Sequence, residues 1–172
     1  MFSRYFQPLL LALALAALTA CGGGSTDSRA TAKTVADHFD ISVGSRTVHM
    51  QVAALPDEQQ HGLMFRPKLE SEEGMIFVFT HPQQMGFWMR NTEIPLDIGY
   101  FDATGELKEI YPMYPHDERS VASRSHAIQF CLEMNQGWYK SSGVKPGDKL
   151  DLKALAEALR ARGLKPEAAG LR

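Results

Sequence analysis

Several things are scarce in this chain. It has two cysteines in 172 residues, Cys21 and Cys131, so at most one disulfide is available. The apolar stretch from Pro8 to Ala17 would form a helix well short of the ~20 residues that cross a bilayer. Basic residues are not in excess: 18 Lys and Arg stand against 20 Asp and Glu, for a formal charge of −2. A nucleic-acid footprint needs a clustered positive surface, so nucleic acid is not expected as a partner. No Gly-x-Ser-x-Gly elbow occurs, which removes the usual sign of serine acyl transfer. The six histidines include no pair at i,i+2 or i,i+4, and no internal repeat is visible.

The N-terminus is the first positive feature. Arg4 supplies a charged start, Pro8 to Ala17 an apolar core, and small residues lead up to Cys21, the layout of a signal segment over residues 1–20. Leu18-Thr19-Ala20-Cys21 resembles the lipobox of bacterial lipoproteins. That resemblance implies lipidation at Cys21 and a membrane partner through the anchor, because several acyl chains at about 0.8 kcal/mol per buried methylene hold where one only tethers. Gly22 rather than Asp follows the cysteine, which by the same resemblance favours the periplasmic face of the outer membrane. Losing Arg4 with the signal moves the formal charge from −2 to −3. Residues 21–37, opening with Gly22-Gly23-Gly24-Ser25, read as a flexible tether. A lipidated Cys21 leaves Cys131 unpaired, and the fold must then be held by packing.

From His38 the pattern changes to alternation of period two. Phe39, Ile41 and Val43, then Gly44-Ser45, then Val48, Met50 and Val52 predict a hairpin. Pro56 to His61 carries acids in its first turn and predicts a short helix ending near Gly62, weakly started because Leu55 offers no capping oxygen. Met75 to Phe79 suits a strand covered on both faces. Further strands are predicted over 87–92, 94–101, 106–111 and about 126–134, with Trp138 and Tyr139 in a short turn or helix. In the strand from Ile128 to Asn135, Ile128, Phe130, Leu132 and Met134 fall on one face and Gln129, Cys131, Glu133 and Asn135 on a polar one. Pro95 argues for an edge or bulge. Helical period is clear only at the end, in Leu152, Leu155, Ala156 and Leu159. The chain is therefore expected to be mainly β, a β-sandwich or partly closed barrel with a few short helices and a C-terminal helix. It forms a single domain over 38–165 with a tail at 166–172.

The runs Gly62-Leu63-Met64-Phe65-Arg66, Gly74-Met75-Ile76-Phe77-Val78-Phe79, Phe87-Trp88-Met89-Arg90-Asn91-Thr92 and Ile94-Pro95-Leu96-Asp97-Ile98 resemble the signature of the family called domain of unknown function 192. The resemblance covers roughly residues 40–152. It implies a jelly-roll-like fold and singles out Arg66, Trp88, Asn91, Asp97, Glu133 and Asn135.

Two readings of that set stand open. In one, the six line a single cleft in which charged and amide groups orient a ligand and the indole stacks on it. In the other, Arg66 and Asp97 form a buried pair, Asn91 fixes a turn, Trp88 fills core and Glu133 faces water. A binding or accessory module of the cell envelope, taking a small molecule, glycan or peptide, is the leading expectation. A glycosidase-like hydrolase using Asp97 and Glu133, which needs the carboxyls roughly 5 to 10 Å apart across one groove, is the alternative. A structural envelope protein without ligand is the third. Enzymatic activity is not the favoured reading, and a mid-strand Cys131 reads as a quiet thiol. No cofactor and no metal are expected. Eight methionines and six histidines invite copper, but Met85 and Met89 would lie about 13 Å apart in a strand.

Overall fold

The alternating start builds the hairpin expected of it. In the computed structural model, which describes residues 32–172, Phe39–Val43 (β1) and Arg46–Ala53 (β2) pair antiparallel around Gly44-Ser45, with Gly44 at φ 58°. Residues 1–31, which take in the expected signal segment, Cys21 and most of the expected tether, lie outside the described residues. The helix Pro56–His61 (α1) carries the chain across to Glu73–Gln83 (β3), which runs parallel to β2. A parallel pair requires such a crossover, and it departs from the all-antiparallel order of a jelly roll. Gly86–Phe87 (β4), Leu96–Asp102 (β5), Leu107–Met113 (β6), Val121–Ala122 (β7) and Ile128–Asn135 (β8) follow. Two helices, Trp138–Ser142 (α2) and Leu152–Ala161 (α3), and a 3-10 turn at Pro166–Ala169 complete the chain.

The chain is mainly β. Six strands form one mixed sheet in the order β1-β2-β3-β8-β5-β6, and β4 pairs with β7 in a separate ribbon. The large sheet is not a closed barrel, since β1 and β6 are both edges. At one end its edges are laced together. The segment Lys149-Leu150 bridges Val43 on one side and Glu106 on the other. Gly44 N–H to the Lys149 carbonyl and Leu150 N–H to the Gly105 carbonyl, both 2.8 Å, hold it there, and the flanking Asp148 and Asp151 add bonds to Leu107 and Ser42.

Each face of the sheet buries its own core. One packs Ile41, Val48, Ile76, Phe130 and Leu132 against α2, α3 and the 3-10 turn, with Tyr139, Leu155 and Leu159 as the helical contribution. The other packs Met75, Phe77, Leu96, Ile98, Tyr100 and Cys131 against Leu63, Leu69, Met85 and Met89 from the connecting segments. Among the described residues no helix is long and apolar enough to cross a membrane.

Four sequence expectations change. The second face of β8 is not a polar surface: β8 lies between β3 and β5, so Cys131 and Glu133 are buried like Phe130 and Leu132. The strand predicted over 87–92 stops at Phe87. Beyond it Thr92 N–H closes a turn onto the Met89 carbonyl, with Asn91 at φ 53°. Pro95 marks neither an edge nor a bulge; it sits one residue before the central strand β5, where no ladder donor is needed, and its carbonyl accepts from Gln136 N–H. The domain is longer at both ends. Lys33 N–H bonds the Ala161 carbonyl and Val35 packs on the second core. The expected tail 166–172 packs against the sheet through Ala169 and Leu171, with Gln129 Nε2 donating to the Ala169 carbonyl at 2.8 Å.

Candidate functional site

Helix α1 forms one wall of a depression on the second face. Its start has no side-chain cap from Leu55; the Glu58 carboxylate instead accepts from Ala54 N–H (3.1 Å) and Leu55 N–H (3.0 Å). Arg162, reaching from the end of α3, clamps Glu58 and the Val52 carbonyl together. Gln59 Nε2 donates to the Val78 carbonyl at 2.8 Å and ties the helix to β3. Gly62, at φ 50°, ends it. The chain then runs through Met64 to Phe65, a 64 % exposed phenylalanine in the left-handed region at φ 61°. A bulky residue there is strained, and the Phe65 N–H bond to the Asn91 carbonyl at 2.8 Å helps to hold it.

Opposite α1, Phe77 and Phe79 of β3, Met85, Phe87 of β4 and Trp88 complete a cleft of about 260 Å³, with Glu133 at its inner end. Phe87 packs edge-on against Phe77 at 4.9 Å between ring centres. Trp88 stands 45 % exposed, with the Arg90 guanidinium 5.8 Å from its ring centre, so it does not fill core. Glu133 is 5 % exposed and sits in register between Met75 and Ile98. Among the described residues its carboxyl accepts no hydrogen bond. Burial pushes its pKa up to about 8, with only the Arg66 guanidinium pulling the other way. A neutral acid at the end of an aromatic cleft is what desolvation produces when no paired charge offsets it. Two residues along the same face, burial drives the Cys131 thiol well above its ordinary value, which leaves it protonated and unreactive.

The six residues singled out by sequence do not converge. Trp88 and Glu133 share the cleft. Asn91 and Trp88 border an adjoining groove with Asp57 and Arg90, where the Asn91 amide meets Met64 Sδ at 4.0 Å. Arg66 lies in a third depression beside Val35, Ala36 and Gln51, half-buried, its pKa lowered by desolvation and raised by Glu73 and Glu133. Asn135 pins a loop, donating to the Leu69 and Glu70 carbonyls at 3.0 and 2.9 Å.

Asp97 is on the other face of the sheet. It sits opposite Met134, while Ile98 sits opposite Glu133, and it accepts Gly137 N–H at 2.8 Å. Burial raises its pKa and that hydrogen bond opposes the rise. The expected Arg66–Asp97 pair does not form. Nor can Asp97 and Glu133 act across one groove, because the sheet separates them, and the glycosidase-like arrangement falls with that geometry. Among the described residues no three histidine, cysteine or carboxylate side chains are placed to hold a metal ion. Sequence reasoning missed Gln60, His61, Phe77 and Phe79 as cleft residues. The usable signal was the placement of His61 at the end of a short helix immediately before the Gly62-Leu63-Met64-Phe65 run.

Fold and cleft together define a mainly β domain with one helix-covered face and one face opened by an aromatic, acid-ended pocket. The chain belongs to the DUF192 family, described as "Uncharacterized ACR", whose model matches residues 39–152. A protein of unknown function from Novosphingobium aromaticivorans is similar at 36 % identity over 65 % of this chain and 83 % of that one, with a TM-score of 0.62. A protein from Sinorhizobium meliloti, described as a candidate transcription regulator, is similar at 28 % identity over 67 % of this chain and 95 % of that one, with a TM-score of 0.64. No curated protein matches the chain.

Proposed function

We propose that this protein is a ligand-binding or accessory module of the cell envelope, and that its site is the cleft between α1 and Trp88. The observation that carries this reading is Glu133. A buried carboxyl with no hydrogen-bond partner among the described residues costs stability unless something uses it, and this one ends an aromatic cavity that reaches the surface at a half-exposed indole. Small molecules, glycans and peptides are the ligand classes in view. The test is a thermal-shift screen of all three classes on residues 32–172 and on its Trp88→Ala variant. Shifts that vanish in the variant support the cleft. Shifts that persist unchanged place binding elsewhere, and an absence of shifts across the whole screen favours a purely structural protein.

The anchor belongs to the same proposal. Residues 1–20 as a signal, lipid on Cys21 and a place on the periplasmic face of the outer membrane are supported by the apolar stretch and the Leu18-Thr19-Ala20-Cys21 run. Cys21→Ser is expected to move the protein from membrane to soluble fractions. Unchanged fractionation would rule the anchor out.

A further inference from the structure

Resting on the reading of the cleft as a ligand site, we propose that its ligand carries an organic ammonium group, seated at the Glu133 carboxylate against the rings of Phe79, Phe87 and Trp88. The lining holds one carboxyl and no lysine or arginine, so an anion finds no counter-charge within it. Of the side-chain donors that would suit a neutral acceptor, the Gln59 amide is on the Val78 carbonyl and the Thr92 hydroxyl donates to the Arg90 carbonyl at 3.2 Å, which leaves the Gln60 amide and the His61 ring on the exposed α1 side. Away from that side, what the cleft offers is ring faces and a carboxyl. Aromatic faces carry the negative end of the ring quadrupole, and they attract cations most strongly where water is displaced. Trp88 already draws a cation, the Arg90 guanidinium. An ammonium ion would supply the partner that Glu133 lacks, which is the ordinary condition for a buried charge.

Binding is then coupled to the loss of a proton. Around Glu133 the titratable and charged groups are Arg66 beyond α1, Cys131 on its own strand, Tyr100 on β5 and Tyr139 on α2, with His61 across the cleft. Both tyrosines are held neutral by burial and donate to backbone, to the Val121 and Leu132 carbonyls. Arg66 keeps its charge throughout. The proton released on binding therefore comes from Glu133, and affinity for the cation falls as the solution is acidified below the Glu133 pKa.

The experiment compares choline with 3,3-dimethylbutan-1-ol, a neutral molecule of the same shape, by calorimetric titration of residues 32–172. At about pH 8.5, choline is expected to bind roughly tenfold more tightly than the alcohol. Glu133→Gln is expected to bring choline to the alcohol's level without lowering the melting temperature. His61→Asn is expected to leave the pH dependence in place. Equal binding of choline and alcohol overturns the cation and leaves the cleft as a site for neutral ligands. Binding of neither probe, alongside Trp88-dependent hits in the wider screen, also overturns the cation while sparing the cleft. Loss of choline selectivity in His61→Asn but not in Glu133→Gln moves the proton to the histidine and overturns the assignment to Glu133.

Discussion

The two faces of the sheet solve the same packing problem differently. Under α2 and α3 most buried polar groups are answered, Arg162 Nε excepted: Asp97 takes the Gly137 N–H, Gln129 reaches the Phe79 and Ala169 carbonyls, and Tyr139 donates to the Leu132 carbonyl at 2.8 Å. On the other face the covering is made of loops and a two-residue ribbon, Met75, Met85, Met89 and Met113 fill the gaps, and Glu133 has no such answer. Methionine suits irregular spaces because its three rotatable bonds adapt to them. Satisfied polar groups fix a structure, and an unsatisfied one in a cavity marks where something else is meant to bind. The helical face is therefore the scaffold and the loop-covered face is where function is sought.

Arg162 is where the two faces meet, and breaking it has the largest expected effect. It lies beyond the family's matched residues yet clamps the Val52 carbonyl and Glu58, which starts the cleft helix. Arg162→Ala leaves Glu58 without its cation at a largely buried position and is expected to cost about 3–5 kcal/mol, to be read by urea unfolding. Burial pushes the Glu58 carboxyl up, but Arg162 and the Leu55 and Ala54 N–H groups outweigh it and the net shift is downward. The folded state thus holds this carboxylate more readily than the unfolded one. The stability it lends is present above the ordinary value of 4.5 and is lost as pH falls through the lower folded value. Arg162→Ala should flatten that acid limb. If hydrogen exchange in α1 is unchanged in the variant, the two faces are independent.

Glu133 should give the next largest effect, with the opposite pH sign. Its folded pKa of about 8 lies above the ordinary 4.5, so between those values the folded state keeps a proton that the unfolded state has released. Stability therefore falls as pH rises through that window, with a ceiling of about 5 kcal/mol. Glu133→Gln, which imitates the protonated acid, should remove the slope and make the protein the more stable of the two at pH 8. An unaltered slope would mean that water or Arg66 already satisfies the carboxylate.

Much of this was legible where the determinants are local. The hairpin at Gly44-Ser45, the α1 limits at Pro56 and Gly62, the doubly covered β3 and the amphipathic α3 all follow from residues a few positions apart. What could not be read depends on pairing between distant strands. That β8 is central follows from β3 and β5 flanking it, and that Asp97 and Glu133 are on opposite faces follows from Ile98, not Asp97, standing across from Glu133. Alternation gives each strand two faces without saying which face of another strand it shares. Trp88 was misplaced in a strand because its 87–92 run has strand composition, and only the Asn91 conformation and the Met89–Thr92 turn break it.

Gly99 sharpens the comparison from the helical side. A methyl added there would stand 2.3 Å from Tyr139 Oη and 2.7 Å from Cζ, and the buried tyrosine, fixed to the Leu132 carbonyl, cannot swing away. Gly99→Ala is expected to cost about 1–3 kcal/mol by overpacking, read as a lowered urea midpoint. An unaltered midpoint would mean that α2 is loosely seated and that the helical face is as adaptable as the other.

The smallest stability effect belongs to Trp88→Ala, and for that reason it separates the faces most cleanly. The indole is half-exposed, contributes little to the second core, and rests mainly against the Arg90 guanidinium, an exposed cation–π contact worth about 0.5–1 kcal/mol. The midpoint of unfolding should move by about 0.5 kcal/mol or less. A residue with so little to do for the fold, at the mouth of a cleft ending in a buried acid, is then accounted for by what the cleft binds. If the variant unfolds several kcal/mol more easily, Trp88 is a packing residue after all, and the loop-covered face is scaffold like its opposite.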